Sequence, residues 1–475
     1  MNSKSRAFEL GFGKTSQEIN LERLPVRGRI PEWLQGTLIR NGPGTFQVGS
    51  QHYRHWFDGL AMLHKFSFAG GSVSYANKFL ETKAYQEAQE TGKISYSEFA
   101  TDPCRSLFAR AMAVFSPKIT DSAKVSIARF AERYLALAET PIQVEFDPQT
   151  LQSVGVFNYE DRLVGQMTTV HPQFDFDKDQ VYNVVTRYHR ISHYNIYCLP
   201  GGKKPERVAS LPVQQPAYMH SFGMSRNYII LTEFPLVVNP ISLLLWLKPY
   251  IENFRWKPER GTPFWVIERD SGKLVGRFDS EPFFAFHHVN AFERDGELVV
   301  DLAAYKDASI LKAYYLDNLQ SGQAELPFGK LRRYRIPLNG QTASHQVISD
   351  ACVELPSFDY PRYNMDASYR YVYAISIHPK HRQGFYNQIV KVDIDSGETK
   401  NWFEAGCFPG EPVFVGRPKR TLEDDGLILS VVLDAARGNS FLLVLDAHTF
   451  QEMARAEIPH AVLFGYHGAY FPNLT

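Results

Sequence analysis

One unit recurs along the chain and limits its fold more than any other feature. It is an alternating apolar strand, a turn of Asp, Ser, Gly or Pro, and a second strand. The clearest copies are residues 142–157 (IQVEFDPQTLQSVGVF), 264–278 (FWVIERDSGKLVGRF), 389–403 (IVKVDIDSGETKNWF) and 442–458 (LLVLDAHTFQEMARAEI). Further copies start near Asn195 and Leu331. Period-two alternation bounded by such turns reads as a β-hairpin. The six starts are 53, 69, 67, 58 and 53 residues apart. A step of that size suits one four-stranded blade with loop insertions. Dividing 475 residues by it gives about seven blades, within the usual range of β-propellers. The competing reading is a set of ordinary hairpins in a multi-sheet protein. Length alone suggests about three domains, but no Pro/Ser-rich linker divides the chain. Residues 1–475 therefore read as one all-β domain, a seven-bladed β-propeller. Helical periodicity is confined to residues 104–115 (CRSLFARAMAVF) and 240–254. These sit in insertions over about 104–117 and 236–254, expected to form a helical and loop cap.

Composition excludes several classes. Lys+Arg and Asp+Glu are balanced at 51 each, which argues against a nucleic-acid partner. Aromatic residues make up 14% and charged residues only 21%, unlike a disordered chain. Cys104, Cys198, Cys352 and Cys407 form no CxxC pair, so they read as reduced thiols of a cytosolic protein. The N-terminus has no apolar signal region. The longest apolar run, FPLVVNPISLLLWL at residues 234–247, is 14 residues, short of the ~20 that span a bilayer. The expected location is cytoplasmic, with no signal peptide or transmembrane segment.

Four of the 15 histidines lie inside apolar or aromatic runs. They are His171 (MTTVHPQFD), His220 (YMHSFGMS), His287 (FFAFHHVNAFE) and His467 (LFGYHGAYF). An unpaired imidazole there would be costly. Their separations of 49, 67 and 180 residues bring them together only where sheets radiate about an axis. Four neutral imidazoles suit a borderline divalent ion. The alternative is a set of hydrogen-bonded core histidines. Three glutamates also stand in apolar settings: Glu139 (LALAETP), Glu354 (CVELPSF) and Glu411 (FPGEPVFV). A carboxylate can accept the second ring N–H of a metal-bound histidine. The alternative for each is a local turn or cap role.

These segments carry a resemblance. LQGTLIRNGPG, WFDGLAMLHKF, ALAET, the four histidine segments, VELPSFDYPRYN, GEPVFV, LEDDGLILSVV and YHGAYF follow one another over most of the chain. In that order they resemble the carotenoid cleavage oxygenases, closer to the bacterial and animal β-carotene oxygenase-like branches than to the plant branch. The resemblance implies a seven-bladed propeller capped by helices, with one Fe(II) per chain on the axis. Its ligands would be His171, His220, His287 and His467, with His287 rather than His288 from the FHHVN pair. Glu139, Glu354 and Glu411 would hold those imidazoles, and Val125 would lie near the iron. O2 would be the co-substrate. It would be inserted across a conjugated C=C bond of a carotenoid or apocarotenoid to give two carbonyl products, retinal-type aldehydes among them.

A polyene needs a tunnel of aromatic and aliphatic side chains. Phe99, Phe283, Phe284, Phe286 and Tyr466 are candidates for its wall, with core packing the alternative for each. A bilayer-dissolved substrate also calls for peripheral contact with a membrane surface. Leu107, Phe108, Met112 and Phe115, and Leu243, Leu244, Leu245 and Trp246, are apolar groups flanked by basic residues, as in interfacial anchors. The alternative is core-facing cap helices. Asp102-Pro103-Cys104 resembles an animal motif whose Cys carries a lipid. No obligate protein partner is implied. Two other functions compete. A stilbene oxygenase on the same iron would want a Tyr and a Lys where Phe99 and Ala138 stand. A non-catalytic propeller scaffold would leave the four histidines unexplained.

Overall fold

The computed structural model describes residues 3–15, 17–103, 120–159, 163–202, 204–244, 248–321, 325–382 and 384–474. Its main sheets are seven antiparallel blades of four or more strands each. The recurring hairpins of the sequence are the outer pairs of blades two to seven, such as Val144–Phe146 with Ser153–Val156 and Asn439–Asp446 with Glu452–Ile458. In four of them one turn geometry repeats. The N–H groups of Leu151, Gly272, Gly397 and Phe450 return to the carbonyls of Asp147, Glu268, Asp393 and Asp446 at 2.8–2.9 Å. All four returning residues have a positive φ. The Asp147, Asp393 and Asp446 carboxylates also accept backbone N–H groups inside their turns. Such Asx bonding makes these short acidic segments turns rather than strand.

Blade one closes the ring. The strand Gly36–Thr45 pairs with Leu60–Ala69 on one side and with the C-terminal strand Gly468–Phe471 on the other. The chain's end therefore supplies the innermost strand of the blade that its beginning started. Inner strands of several neighbouring blades contact one another, among them Gly468–Phe471 with Ser126–Phe130 and Gly223–Met224 with Phe284–Arg294.

Between blades the seams are apolar. Blades two and three share a cluster with Phe130, Leu135, Val185 and Leu199. Blades five and six share one with Phe292, Val299, Leu331 and Val372. Other seams carry clusters of their own. Each buried Leu, Ile, Val or Phe contributes about 1.5–3 kcal/mol relative to exposure. Strands covered on both faces lose their alternation: Gly426–Asp434 (GLILSVVLD) and Gly36–Thr45 are buried along their whole length.

Among the described residues helices are few and short. The helix expected over 240–254 is instead a helix Pro240–Leu244 and a 3-10 turn Tyr250–Asn253. Pro249 stands immediately before the turn. It lacks an N–H and disfavours helix at the preceding residue. Leu236–Val237 and Arg255–Trp256 form a two-strand pair around this segment. The helix expected over 104–115 lies outside the described residues. Ser3–Gly11 and Lys83–Thr91 are helices that apolar spacing did not announce. Among the described residues no helix is long and apolar enough to cross a membrane.

A buried ion pair inside blade five is tied to blade six by a tyrosine hydroxyl. Asp301 takes the Arg333 guanidinium in two bonds, 2.8 and 2.7 Å, and also accepts from the Tyr369 hydroxyl. Asp301→Ala leaves Arg333 buried and unpaired. The expected loss is about 3–5 kcal/mol, read as a fall in the urea midpoint.

Candidate metal centre

The seven glutamate and histidine residues singled out above come one from each blade. His467 immediately precedes the strand Gly468–Phe471 of blade one. Glu139 follows Arg133–Leu137 of blade two. His171 lies between Met167–Thr168 and Gln173–Asp175 of blade three. His220 precedes Gly223–Met224 of blade four. His287 lies in Phe284–Arg294 of blade five, where the register with the next strand slips on either side of His288. Glu354 opens Glu354–Ser357 of blade six, again at a register shift. Glu411 lies between Cys407–Pro409 and Val413–Gly416 of blade seven. Breaks in the ladder free these side chains from the pleat and aim them at the axis.

The four histidines converge. One nitrogen from each lies within 4.8 Å of the others. Three rings are held by carboxylates: His220 Nδ1 to Glu139 at 2.7 Å, His467 Nδ1 to Glu411 at 2.7 Å, and His287 Nδ1 to Glu354. An ionised carboxylate only accepts, so each Nδ1 carries the proton and each Nε2 is a lone pair. His287 Nε2 and His467 Nε2 then face each other at 3.1 Å with no proton between them. His171 Nε2 is buried with no hydrogen-bond partner among the described residues. Facing lone pairs and an orphaned buried nitrogen are what a bound cation would resolve. An all-imidazole donor set suits a borderline divalent ion such as iron.

Burial favours the neutral form of three of these rings. Burial pushes His171 well below the usual imidazole range, and the four neighbouring histidines, His467, His287, His220 and His288, push the same way. Burial also lowers His220 and His287, against the opposing pull of their glutamates. Glu354 and Glu411 sit below the usual carboxylate range. Burial opposes this, and the facing imidazoles, Tyr305, Arg40 and backbone N–H groups outweigh it. Arg40 reaches Glu411 at 2.9 Å, and the Gly468 N–H reaches it at 2.8 Å. Tyr218 donates to Glu139 and Tyr305 to Glu354. Sequence reasoning missed Arg40, Tyr218 and Tyr305. Arg40 carried the signal used for the glutamates, a charge inside the apolar run LIRNGPG.

The neighbour of His287 is excluded. His288 is held by two hydroxyls, Ser221 Oγ at Nδ1 and Thr232 Oγ1 at Nε2, both at 2.8 Å, so neither nitrogen is left for an ion.

Above the imidazoles lies a cavity whose wall includes His220, His287 and His467. Of the expected wall residues, Phe99, Val125, Phe286 and Tyr466 line it. Phe283 and Phe284 do not, which corrects the expectation. Phe283 stacks on Tyr334 at 4.6 Å, and Phe284 packs on Phe234 at 5.4 Å, in the core behind the wall. Trp56, Phe57 and Tyr314 line the cavity and were not foreseen. Residues from 97–102, with Leu243, Lys248, Tyr250 and Asn253, belong to no blade and also line the wall. The side chain of Leu244 lies outside the described residues, as do Leu245, Trp246, Cys104, Leu107, Phe108, Met112 and Phe115.

Three other buried histidines set a pH dependence. Burial pushes His55, His64 and His288 down to about 3 each. In the unfolded chain each titrates near ~6.5, so below that pH the unfolded state binds protons that the folded state refuses. Stability is complete above about pH 6.5. It falls as pH drops toward 3, by about 1.4 kcal/mol per pH unit for each ring. Urea unfolding of metal-free protein at about pH 7.5 and about pH 5.5 should show a clearly lower midpoint at the acid value.

Comparison with known proteins extends the site to the whole chain. The family model described as retinal pigment epithelial membrane protein matches residues 12–472. A carotenoid isomerooxygenase of Galleria mellonella is 36% identical, covering 95% of this chain and 93% of that protein. A beta,beta-carotene 15,15'-dioxygenase of Mus musculus is 32% identical, covering 98% and 92%. Among solved structures, cobalt-substituted Synechocystis apocarotenoid oxygenase superposes with a TM-score of 0.86 at 28% identity, covering 98% of each chain. Likeness at this level over nearly all of both chains goes beyond a common propeller, and the chain belongs to the retinal pigment epithelial membrane protein family, the carotenoid cleavage oxygenases.

Proposed function

We propose that His171, His220, His287 and His467 hold one Fe(II) per chain, and that the protein cleaves a conjugated C=C bond of a carotenoid or apocarotenoid with O2. Two carbonyl products result, retinal-type aldehydes among them. The observation that carries this reading is the set of inward imidazole lone pairs beneath an aromatic cavity. Relatives named for carotenoid cleavage support the substrate class. Iron, when bound, supplies activation of O2, which side chains alone do not provide. The protein's own groups do the rest. Glu139, Glu354 and Glu411 fix the rings and their tautomers. Phe57, Phe99, Phe286 and Tyr466 offer flat apolar faces to a polyene and exclude water. Val125, on the wall beside His467, narrows the space at the reacting end; its carbonyl accepts the His467 N–H at 3.2 Å. No side-chain acid or base is required.

The test is metal analysis and product mass spectrometry on protein purified without chelator. Wild type should carry iron and yield two carbonyl fragments from a carotenoid panel. His287→Ala should lose both, while His288→Gln should keep its iron. Glu354→Gln should weaken iron binding about 10–100-fold. Zinc in place of iron, or cleavage retained by His287→Ala, overturns the reading.

Peripheral membrane contact belongs to the same proposal. Leu243 faces the cavity, while Ile241 is 60% exposed on the same short helix and Lys248 is exposed beyond it. Leu243 and Lys248 both line the cavity, and an exposed apolar side chain on the same helix as Leu243 suits an interfacial contact. Ile241→Asp should reduce sedimentation with anionic liposomes. Unchanged partitioning would count against this surface.

A further inference from the structure

Most polar groups on the cavity wall are turned toward protein. Ser122 Oγ donates to the Gly59 carbonyl, Thr140 Oγ1 to the Thr120 carbonyl, and the Asn253 amide to the carbonyls of Lys248, Pro249 and Tyr250. Lys124 and Glu98 differ. Both line the cavity, their side chains are only 4% and 1% exposed, and Lys124 Nζ donates to Glu98 Oε2 at 2.7 Å. Glu98 Oε1 accepts from Thr120 Oγ1 at 2.6 Å. The ammonium has three N–H donors, and its one described hydrogen bond is to Glu98.

Removing an ion pair from water costs several kcal/mol per ion, offset only when the remaining protons find acceptors. A hydrocarbon polyene filling this cavity would displace water from the ammonium and return nothing. A ligand bearing oxygen would return an acceptor. A site built to hydrogen-bond such an oxygen discriminates strongly against the analogue that lacks it. Blade geometry fixes the donor: Lys124 stands just ahead of the first strand of blade two, Ser126–Phe130, and its neighbour Val125 is tied to His467.

We infer that Lys124, positioned by Glu98, is a specificity-determining residue that donates to the carbonyl or hydroxyl oxygen of an apocarotenoid, so that oxygenated polyenes are taken in preference to hydrocarbon carotenes. This rests on the cleavage reading above and narrows its substrate class. The experiment compares an apocarotenal, the matching apocarotenol and β-carotene on the iron-loaded enzyme, with resveratrol as a fourth substrate. Wild type should favour the two apocarotenoids. In Lys124→Met the ratio of kcat/KM for the apocarotenal over β-carotene should fall about tenfold, the scale of one hydrogen bond to a charged group. The fall should lie mainly in KM, and Lys124→Arg should restore most of it. Lys124→Met combined with Glu98→Gln leaves no unpaired charge and serves if the single variant fails to fold. A loss shared equally by all substrates indicates only a structural tether and overturns the inference. So does a wild-type preference for β-carotene or resveratrol. If no substrate is cleaved, the cleavage reading fails, and the inference is then decided by binding. Quenching of tryptophan fluorescence by the apocarotenal should weaken in Lys124→Met, and an unchanged Kd overturns it.

Discussion

Everything at the axis follows from one electrostatic arrangement: carboxylates on the outside of three imidazoles. Each Glu accepts a hydrogen bond from one Nδ1–H, which leaves the opposite nitrogen with a lone pair aimed inward. Without the carboxylates the rings could flip or exchange tautomers and hydrogen-bond one another. With them, His287 and His467 face each other 3.1 Å apart with no proton to share. The arrangement is poor for an empty pocket and good for a cation. Burial works in the same direction, because it resists protonation of the very rings that must stay neutral.

The propeller makes that arrangement affordable. No local segment could place seven such groups, since His171 and His467 are almost three hundred residues apart. Radial blades need only one residue each, delivered beside a strand end or where a ladder slips. The scaffold beneath is held by apolar seams that owe nothing to the site. The closing strand Gly468–Phe471 joins both functions. It seals blade one, and the residue before it is His467.

What the sequence revealed follows exposure. Outer hairpins such as 142–157 and 389–403 face solvent at their edges, so their alternation and acidic turns could be read. Inner strands such as Gly426–Asp434 are buried on both faces, and GLILSVVLD gives no period to read. Blade one was not read as a repeat, although its outer hairpin, Leu60–Ala69 with Ser72–Phe79, is continuous in sequence. Buried charges were legible where they broke an apolar run, which is how Glu139, Glu354 and Glu411 stood out. Phe283 and Phe284 show the limit of that logic. An apolar residue among apolar residues gives no sign of which side of a wall it occupies, and the ladder irregularity near His287 decides it. The unbroken helix expected over 240–254 failed for a local reason that the sequence did contain, Pro249.

Charge balance links the centre to the apolar ligand it is proposed to serve. Neutral imidazoles would leave a dication at its full charge beside a cavity meant for a polyene. Glu139, Glu354 and Glu411, taken as ionised, contribute three negative charges just behind the rings. Arg40, buried against Glu411 at 2.9 Å, returns one positive charge. The dication, the three carboxylates and the guanidinium then cancel. Arg40 is therefore more than a prop for a glutamate: without it the centre would carry a surplus negative charge in a medium that screens it poorly. The Lys124–Glu98 pair follows the same rule, since it introduces a donor to the cavity without adding net charge. A wall can be polar at chosen atoms and still be neutral as a whole, which is the condition for holding an oxygenated polyene without repelling its hydrocarbon length.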